Sequence, residues 1–182
     1  MKLNAQLDID LLALQRDDEV TCLLTFEAPI PEAVTDRPGE TLVAVVARSG
    51  SMHGAPPDAV RQSLHAIVDR IRPQDSFGVV VFDSSAVIAV PTMVMADHDA
   101  ATVHALIRGI EPGGTTDLSG GYLLGLSEAR RCLASTGATL LLLSDGHANA
   151  GVVDPARLGK LAAKARQDRI STTTIGIGGG YD

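Results

Sequence analysis

The sequence predicts a doubly wound α/β domain with a mostly parallel sheet and one antiparallel edge strand, preceded by a β-hairpin. Two observations lead to this fold class. Apolar runs of strand length alternate with stretches of helical periodicity, which is typical of parallel strands joined by right-handed helical crossovers. The 182 residues are 45% hydrophobic but only 3% aromatic. The core must therefore consist mainly of Val, Leu, Ile and Ala, as in strands covered by helices on both faces.

Residues 1–38 predict a small unit that stands apart from the rest. Apolar and polar residues alternate over 3–9, and an apolar run at 20–26 follows a polar turn, so the two stretches form an antiparallel hairpin. A proline-rich connector at 28–39 then marks a boundary. We assign residues 1–38 to a β-hairpin and connector, part of a small β module, and residues 39–182 to the α/β domain.

The α/β domain is predicted to begin with a buried strand at residues 41–46. A helix follows from Pro57, with apolar residues at helical spacing up to Ile71 and Pro73 just past its end. The remaining predicted elements are a strand hairpin at 77–82 and 86–90, helices at about 98–109, 118–134 and 155–168, and strands at 139–143 and 172–177.

Composition and charge exclude several classes of function. The formal net charge is -7 and no long basic run is present, which argues against nucleic acid as a partner. No apolar run reaches about 18 residues, and the first residues lack a signal-peptide core. We therefore expect a soluble, cytoplasmic protein without membrane contact. Cys22 and Cys132 lie in apolar stretches without metal-ligand spacing, so we expect two buried free thiols.

Three loops lie where such a sheet binds ligands, beyond the carboxyl ends of the strands. The first contains Ser49 and Ser51, the second is a glycine-rich turn with Thr115 and Thr116, and the third places Asp145 directly after a buried strand. Hydroxyls and a carboxylate, without converging Cys or His, suit a hard cation such as Mg²⁺. The three loops therefore predict one oxygen-lined site.

These loops resemble the metal-ion-dependent adhesion site (MIDAS) of von Willebrand factor type A (VWA) domains. That site has Asp-x-Ser-x-Ser after the first strand, a Thr in a Gly-Gly-x-Thr turn, and an Asp-Gly pair at a strand end. This chain has the matching segments in the same order from about residue 41 to its last residue: Arg48-Ser49-Gly50-Ser51-Met52, Gly113-Gly114-Thr115-Thr116 and Ser144-Asp145-Gly146. The segment around Asp145 is close to the version found in bacterial members.

The resemblance implies a Rossmann-like fold and a bound Mg²⁺, with Mn²⁺ or Ca²⁺ as alternatives. Carried over residue by residue, the ligands are Ser49, Ser51, Thr116 and Asp145, and Thr115 is the second choice for the threonine.

One position departs from the family pattern, because Ala47 stands where the first Asp ligand is expected. Losing even an outer partner of a metal ligand typically lowers affinity ~10–100-fold, and losing one of two carboxylates should cost at least as much. We therefore expect weak or absent metal binding. The chain also ends just after the fifth strand of the family pattern, so we expect the VWA domain to be truncated at its C-terminal end.

The function implied by the resemblance is protein–protein interaction and not catalysis. An acidic side chain of a partner would fill the vacant coordination position of the metal, and Ala47 would impair this mode. The partner is an unidentified protein, either the remaining C-terminal portion of the same protein or another subunit. The alternative is a metal-independent structural subunit whose sheet serves as an assembly scaffold.

A third and weaker hypothesis is a serine hydrolase that uses Ser51, Asp145 and His147. The chain lacks a Gly-x-Ser-x-Gly elbow, and Asp145 and His147 are too close in sequence for an acid-to-base arrangement. Simpler interpretations also exist for several polar residues. Ser49 and Ser51 could satisfy a turn or cap a helix, and Asp117 is expected to cap the helix that follows it. His53 and His147 fall on the presumed site face, where a solvated side chain is the simpler interpretation than a ligand. His65, His98 and His104 have no partner that the sequence reveals.

Overall fold

The computed structural model describes residues 2–7, 21–28, 37–48, 55–111, 113–145 and 149–177. The chain divides into two compact units, Met1–Arg37 and Pro38–Asp182.

The first unit is the predicted antiparallel hairpin of β1 (Lys2–Leu7) and β2 (Cys22–Glu27). Alternate residues of a strand point to opposite faces, so the pairs Leu3–Phe26, Ala5–Leu24 and Leu7–Cys22 share one apolar face. The large members of this face remain exposed, for example Leu3 by 60% and Phe26 by 61%. On the opposite face Lys2 Nζ lies 3.6 Å from Glu27 Oε2.

The second unit is built on a five-stranded sheet with the order β5-β4-β3-β6-β7. Its strands are β3 (Thr41–Ala47), β4 (Ser76–Phe82), β5 (Ala86–Val94), β6 (Ala138–Ser144) and β7 (Ile170–Gly176). All are parallel except β5, which pairs with β4 in the antiparallel sense at one edge. The predicted doubly wound sheet is confirmed. The winding direction reverses at β3, because β4 and β6 lie on its two sides.

Within the described residues, four α-helices cover the two faces of this sheet: α1 (Ala55–Val68), α2 (Ala100–Arg108), α3 (Leu118–Arg131) and α4 (Pro155–Gln167). Alternate residues of β3 enter separate cores. Val43, Val45 and Ala47 belong to the cluster that contains the buried residues of α3 and α4. Ala44 and Val46 belong to the cluster formed with α1 and α2. Both cores are mostly aliphatic, as predicted, with Phe77, Phe82 and Tyr122 added.

The predicted element bounds differ from the observed ones by a few residues. The largest difference is at β5, which continues to Val94 instead of ending at residue 90. Pro91 lies within this strand, as is possible because proline is tolerated in edge strands and at bulges. The pairing of β5 with β4 is irregular near this point, between Phe77 and Val79.

The prediction of two buried thiols is wrong for Cys22. Both cysteines are free, but Cys22 is exposed, because the described residues of its own unit place no second layer over the hairpin. Cys132 is partly buried, and its Sγ donates to the Thr92 carbonyl at 3.1 Å. Among the described residues, no helix combines the length and hydrophobicity that a membrane crossing requires.

Candidate functional site

The candidate site lies at the carboxyl ends of β3, β4 and β6. The reversal of winding at β3 opens a crevice between β3 and β6, the usual ligand position of a doubly wound sheet. Ala47 ends β3, and Asp83 and Asp145 directly follow β4 and β6. Both aspartates are buried, with 6% and 7% of their surface exposed. Two acidic residues are therefore buried at the edge where the sequence predicted the site.

Asp83 joins the loops that follow β3, β4 and α2. Its Oδ2 lies 3.0 Å from Nη2 of Arg48, and its Oδ1 accepts the N–H of Ser85 at 3.0 Å. The carboxylate also accepts the N–H of Gly114, and the Asp83 carbonyl accepts the N–H of Asp117 at 2.6 Å. One buried carboxylate thus fixes the relative positions of three loops.

These contacts keep Asp83 ionised. Burial is the largest influence on its pKa and acts to raise it, but the N–H of Ser85, the charge of Arg48 and the N–H of Gly114 together outweigh burial and lower the pKa. The glycine-rich turn packs tightly against the Asp83 carboxylate: a Cβ on Gly113 would fall 2.0 Å from Asp83 Oδ2. A larger residue at position 113 would therefore displace the carboxylate.

Thr116 ties the loop before α3 to the loop after β6. Its N–H donates to Asn149 Oδ1 at 2.7 Å. In return, the N–H groups of Asn149 and Ala150 each donate to the Thr116 carbonyl at 3.2 Å. Thr116 is buried, with 2% exposure, whereas Thr115 is exposed. Of the two threonines, Thr116 is the one held in place between these loops.

A second connection between the same loops involves Asp117, which caps α3 as predicted. Its Oδ1 accepts a hydrogen bond from the hydroxyl of Ser119 at 2.7 Å and another from the N–H of Gly120 at 2.9 Å. Ser119 Oγ in turn accepts the N–H of Val152 at 2.9 Å. Gly151 has a φ of +70°, and a Cβ there would lie 2.0 Å from Asp117 Oδ1. Only glycine fits this turn without strain.

The structure describes two of the four predicted ligands. Thr116 and Asp145 are buried at the predicted edge. Ser49 and Ser51 lie outside the described residues, as do His53 and His147. The assignment of both serines therefore stays a prediction.

Ala47 occupies the first ligand position as a core residue. It is 1% exposed, lies opposite Phe82 in the β3–β4 register, and belongs to the core cluster beneath α3. A methyl group here offers no oxygen to a cation. Thr116 and Asp145 are oxygen donors of the kind Mg²⁺ prefers, but the donors within the described residues do not by themselves make up a metal site. Across that same part of the chain, no group of three or more His, Cys, Asp or Glu side chains is arranged to hold a metal ion.

Sequence reasoning missed three residues of this edge: Arg48, Asp83 and Asn149. The signal for Asp83 was present, because it directly follows a buried strand as Asp145 does. It was interpreted only as part of the Asp83-Ser84-Ser85 turn. Asp83 and Asn149 each also pair with a residue more than 30 positions away, Arg48 and Thr116 respectively, and no local pattern reveals these long-range partners.

Comparison with known proteins supports the fold. The chain is 26% identical over 174 residues to the protein YfbK of Escherichia coli, which covers 94% of this chain and 27% of YfbK. It is 26% identical over 155 residues to human inter-alpha-trypsin inhibitor heavy chain H4, covering 81% of this chain and 17% of that protein. The chain therefore spans less than a third of the length of either relative.

Solved structures share the architecture. The von Willebrand factor type A protein from Catenulispora acidiphila superposes with a TM-score of 0.65 at 17% identity, covering 86% of this chain and 35% of that one. BatB from Bacteroides thetaiotaomicron gives a TM-score of 0.61 at 18% identity, covering 76% and 66%. At these identities the structures show the fold alone. The sequence profile of the von Willebrand factor type A domain matches residues 41–182. This match spans most of the chain and its whole five-stranded sheet, so the chain belongs to the von Willebrand factor type A domain family, in its bacterial type.

Proposed function

We propose that this VWA domain binds an acidic side chain of a protein partner at the carboxyl edge of its sheet, and that Ala47 impairs metal binding there. VWA domains are protein-interaction and adhesion modules. The proposal is carried by three buried residues of this edge. Thr116 and Asp145 offer oxygen atoms, whereas position 47 offers only a methyl group. The edge keeps a hydroxyl and a carboxylate but lacks the carboxylate expected beside them.

The construction of the loops supports a recognition site. The turn carrying Thr116 is hydrogen-bonded to Asn149, and the loop after β3 is ion-paired to Asp83. Side chains held by such contacts are positioned before a ligand arrives, which reduces the entropy lost on binding. Ser49, Ser51, Thr116 and Asp145 would hold the ion when one binds, with Mg²⁺ as the expected metal.

Replacing Ala47 with Asp tests the metal part of the proposal. The wild-type protein should show no micromolar binding of Mg²⁺ or Mn²⁺ by calorimetry, and Ala47→Asp should gain it. Without metal the variant should melt below the wild type, because a buried carboxylate is added near Asp83 and Asp145. With Mg²⁺ it should recover.

Ala47→Asn is the matched control, since it has nearly the same size but no charge. It should gain little metal affinity. Adding Asp145→Asn to Ala47→Asp should abolish the gained binding. Micromolar Mg²⁺ binding by the wild type, or identical melting of Ala47→Asp in Mg²⁺ and EDTA, would contradict the proposal.

The acidic partner is tested with acetate as a carboxylate probe. In Ala47→Asp loaded with Mg²⁺, acetate should shift the backbone amide resonances of Thr116 and Asn149, which lie at the site. The wild type and the Asn control should show smaller shifts under the same conditions. Equal shifts in all three proteins would mean that acetate does not report a metal-held carboxylate.

A second candidate function is a metal-independent scaffold subunit. The observation that favours it is the exposed apolar face of the hairpin, with Leu3, Leu24 and Phe26 more than half exposed. Large exposed apolar patches mark interaction surfaces, and two strands alone are marginally stable. The occupant would be further polypeptide of the same protein or another subunit, in the cytoplasm.

The two functions respond to different substitutions. Asp145→Asn should abolish partner capture if the carboxyl edge binds, and Phe26→Ser should leave it intact. The reverse result would favour the scaffold. Light scattering of the 182-residue protein provides a second test, because an uncovered apolar face should cause self-association that Phe26→Ser reduces.

A further inference from the structure

Two histidines meet between α1 and α2, on the sheet face that packs the second core cluster. His65 lies on α1 and His104 on α2, 39 residues apart in sequence. Their Nδ1 atoms are 2.6 Å apart, and the ring centroids are 4.8 Å apart with a tilt of 39°. Both side chains are partly buried, with His104 23% exposed.

The short contact between the two Nδ1 atoms restricts their protons. Only one hydrogen fits between nitrogens at this distance, so at least one Nδ1 presents a lone pair to the other ring. On the far side of His104, Nε2 lies 3.2 Å from Asp69 Oδ1. When neutral His104 carries its proton on Nε2, this N–H donates to Asp69. The lone pair of His104 is then on Nδ1 and points at His65.

A histidine that donates one ring N–H to a carboxylate while its other nitrogen faces a second imidazole has the arrangement of a metal ligand. Carboxylate partners of this kind orient the ring and raise its basicity in metal sites. We propose that His65 and His104 form a two-histidine site for a transition-metal ion that favours imidazole, with Zn²⁺ as the expected ion and water completing its coordination.

Binding an ion requires only a small movement of the two imidazole rings. Zinc–nitrogen bonds are about 2.0–2.1 Å long, so two of them at a tetrahedral angle place the nitrogens about 3.3 Å apart. The two Nδ1 atoms would need to move apart by less than about 1 Å, which a small rotation of the partly exposed rings provides. Water can reach the ion from the solvent-exposed side of the rings. Each bound imidazole carries its proton on Nε2. The neutral pair therefore binds the ion without releasing a proton, and a protonated pair releases one to solvent.

The surroundings of His65 favour its neutral form. Burial lowers the pKa of His65 most, followed by the charges of His104, Arg108 and Arg61, while Asp69 opposes them. Neutral imidazole is the form that binds metal. Arg61 is ion-paired to Asp58, which reduces its repulsion of a cation.

The consequence of binding would be a bridge between α1 and α2. These helices pack over β3 and β4 through apolar residues such as Leu64 and Ile107. A metal bridge between them would stabilise the folded domain by an amount that rises with the logarithm of the free metal concentration once that concentration exceeds the Kd. This site uses nitrogen ligands and is independent of the oxygen-lined carboxyl edge, so it does not rest on the proposed function.

Calorimetric titration with ZnCl₂ at pH 7.5 tests the site, using the 182-residue chain with Cys22→Ser to remove the exposed thiol. We expect one ion per chain, at least tenfold weaker binding in His65→Gln and in His104→Gln, and a smaller loss in Asp69→Asn. The matched control His98→Gln should bind as the parent does. Asp145→Asn should also bind normally, which separates this site from the carboxyl edge.

Nitrogen-15 spectra of the imidazole rings provide a readout independent of variant folding. Zinc should shift the Nδ1 resonances of His65 and His104 and leave both Nε2 atoms protonated. Binding that survives both glutamine variants, the absence of any zinc binding, or shifts confined to other histidines would overturn the proposal. Lowering the pH below about 6 should weaken the binding, since protonated imidazole is not a ligand.

Discussion

Two buried aspartates stand at opposite ends of β4, and their surroundings differ in one respect. Asp75 precedes the strand and Asp83 follows it, with 4% and 6% exposure. Each pairs with an arginine, at 2.9 Å to Arg72 and 3.0 Å to Arg48. The pKa of each is lowered although burial, the largest influence, acts to raise it. In residue type, burial and charge the two are nearly equivalent.

The difference lies in what each aspartate connects. Asp75 accepts the N–H of Glu40, just before β3, and the N–H and guanidinium of Arg72, three residues away. These contacts connect the start of β3 to the turn that precedes β4. Asp83 connects three loops at the carboxyl ends of the strands. The same chemistry therefore serves stability at one end of the strand and site geometry at the other, because only one end has converging loops.

The largest effect is expected from removing either carboxylate. Asp75→Ala and Asp83→Ala should each lower the free energy of unfolding by about 3 kcal/mol, since each leaves a buried polar environment and an arginine without its partner. Urea denaturation measures this loss. Amide spectra should separate the two variants, with shifts at Thr116 and Asn149 in Asp83→Ala only. Equal shifts there in Asp75→Ala would remove the distinction between the two ends.

The carboxyl end of β4 also depends on close packing by α3. A Cβ on Gly121 would lie 2.4 Å from Cγ of Phe82, the residue before Asp83. Gly121→Ala should therefore cost about 2 kcal/mol of stability through overpacking. Gly159→Ala on α4 is the control, because nothing lies within 4 Å of its added Cβ. That control should be neutral or stabilising by up to about 1 kcal/mol. A neutral Gly121→Ala would show that Phe82 can move freely.

Acid should weaken both ends of β4. Because the folded pKa values of Asp75 and Asp83 are lowered, their contribution to stability is present above the unfolded value of about 3.9. It is lost as the pH falls through the folded values. Unfolding free energies measured from pH 7 to pH 3 should fall less steeply in the double variant Asp75→Asn/Asp83→Asn than in wild type. A parallel pH dependence would mean that other carboxylates dominate.

The smallest effect is expected from an exposed ion pair with the same shortest N–O distance. Arg130 Nη2 lies 2.9 Å from Asp168 Oδ2, the distance also found for Arg72 and Asp75, but both side chains are nearly half exposed. Arg130→Gln should change stability by less than about 0.5 kcal/mol. Thermal melting at low and high salt measures it. A loss comparable to that of Asp75→Ala would show that charge, and not burial, determines the difference.

The sequence was sufficient for the fold because hydrophobic periodicity is a local signal. The apolar runs at β3 and β6 and the helical spacing in α1 could be read directly. Asp117 was predictable as a cap because an acid before a helical pattern has a local role. The family motifs pointed to Thr116, in the turn before α3, and to Asp145, just after β6, and both are buried; their role as metal ligands stays a prediction.

Long-range pairing was not predictable. The contacts of Asp83 with Arg48 and of His65 with His104 each join residues more than 30 positions apart. Nothing near either residue indicates its partner. Cys22 was misjudged for a related reason, since its apolar neighbours indicated burial. Burial depends on a second layer, which the described part of this unit does not supply.

The hydrogen bonds between the loop before α3 and the loop after β6 have a consequence for amide exchange with solvent. The amide hydrogens of Thr116, Asn149, Ala150 and Val152 all donate across these two loops. None can exchange until the connection opens, so all four should exchange at similar, slow rates, unlike those of ordinary surface loops. The two loops would then behave as one cooperative unit, and a molecule that displaces either loop must displace both.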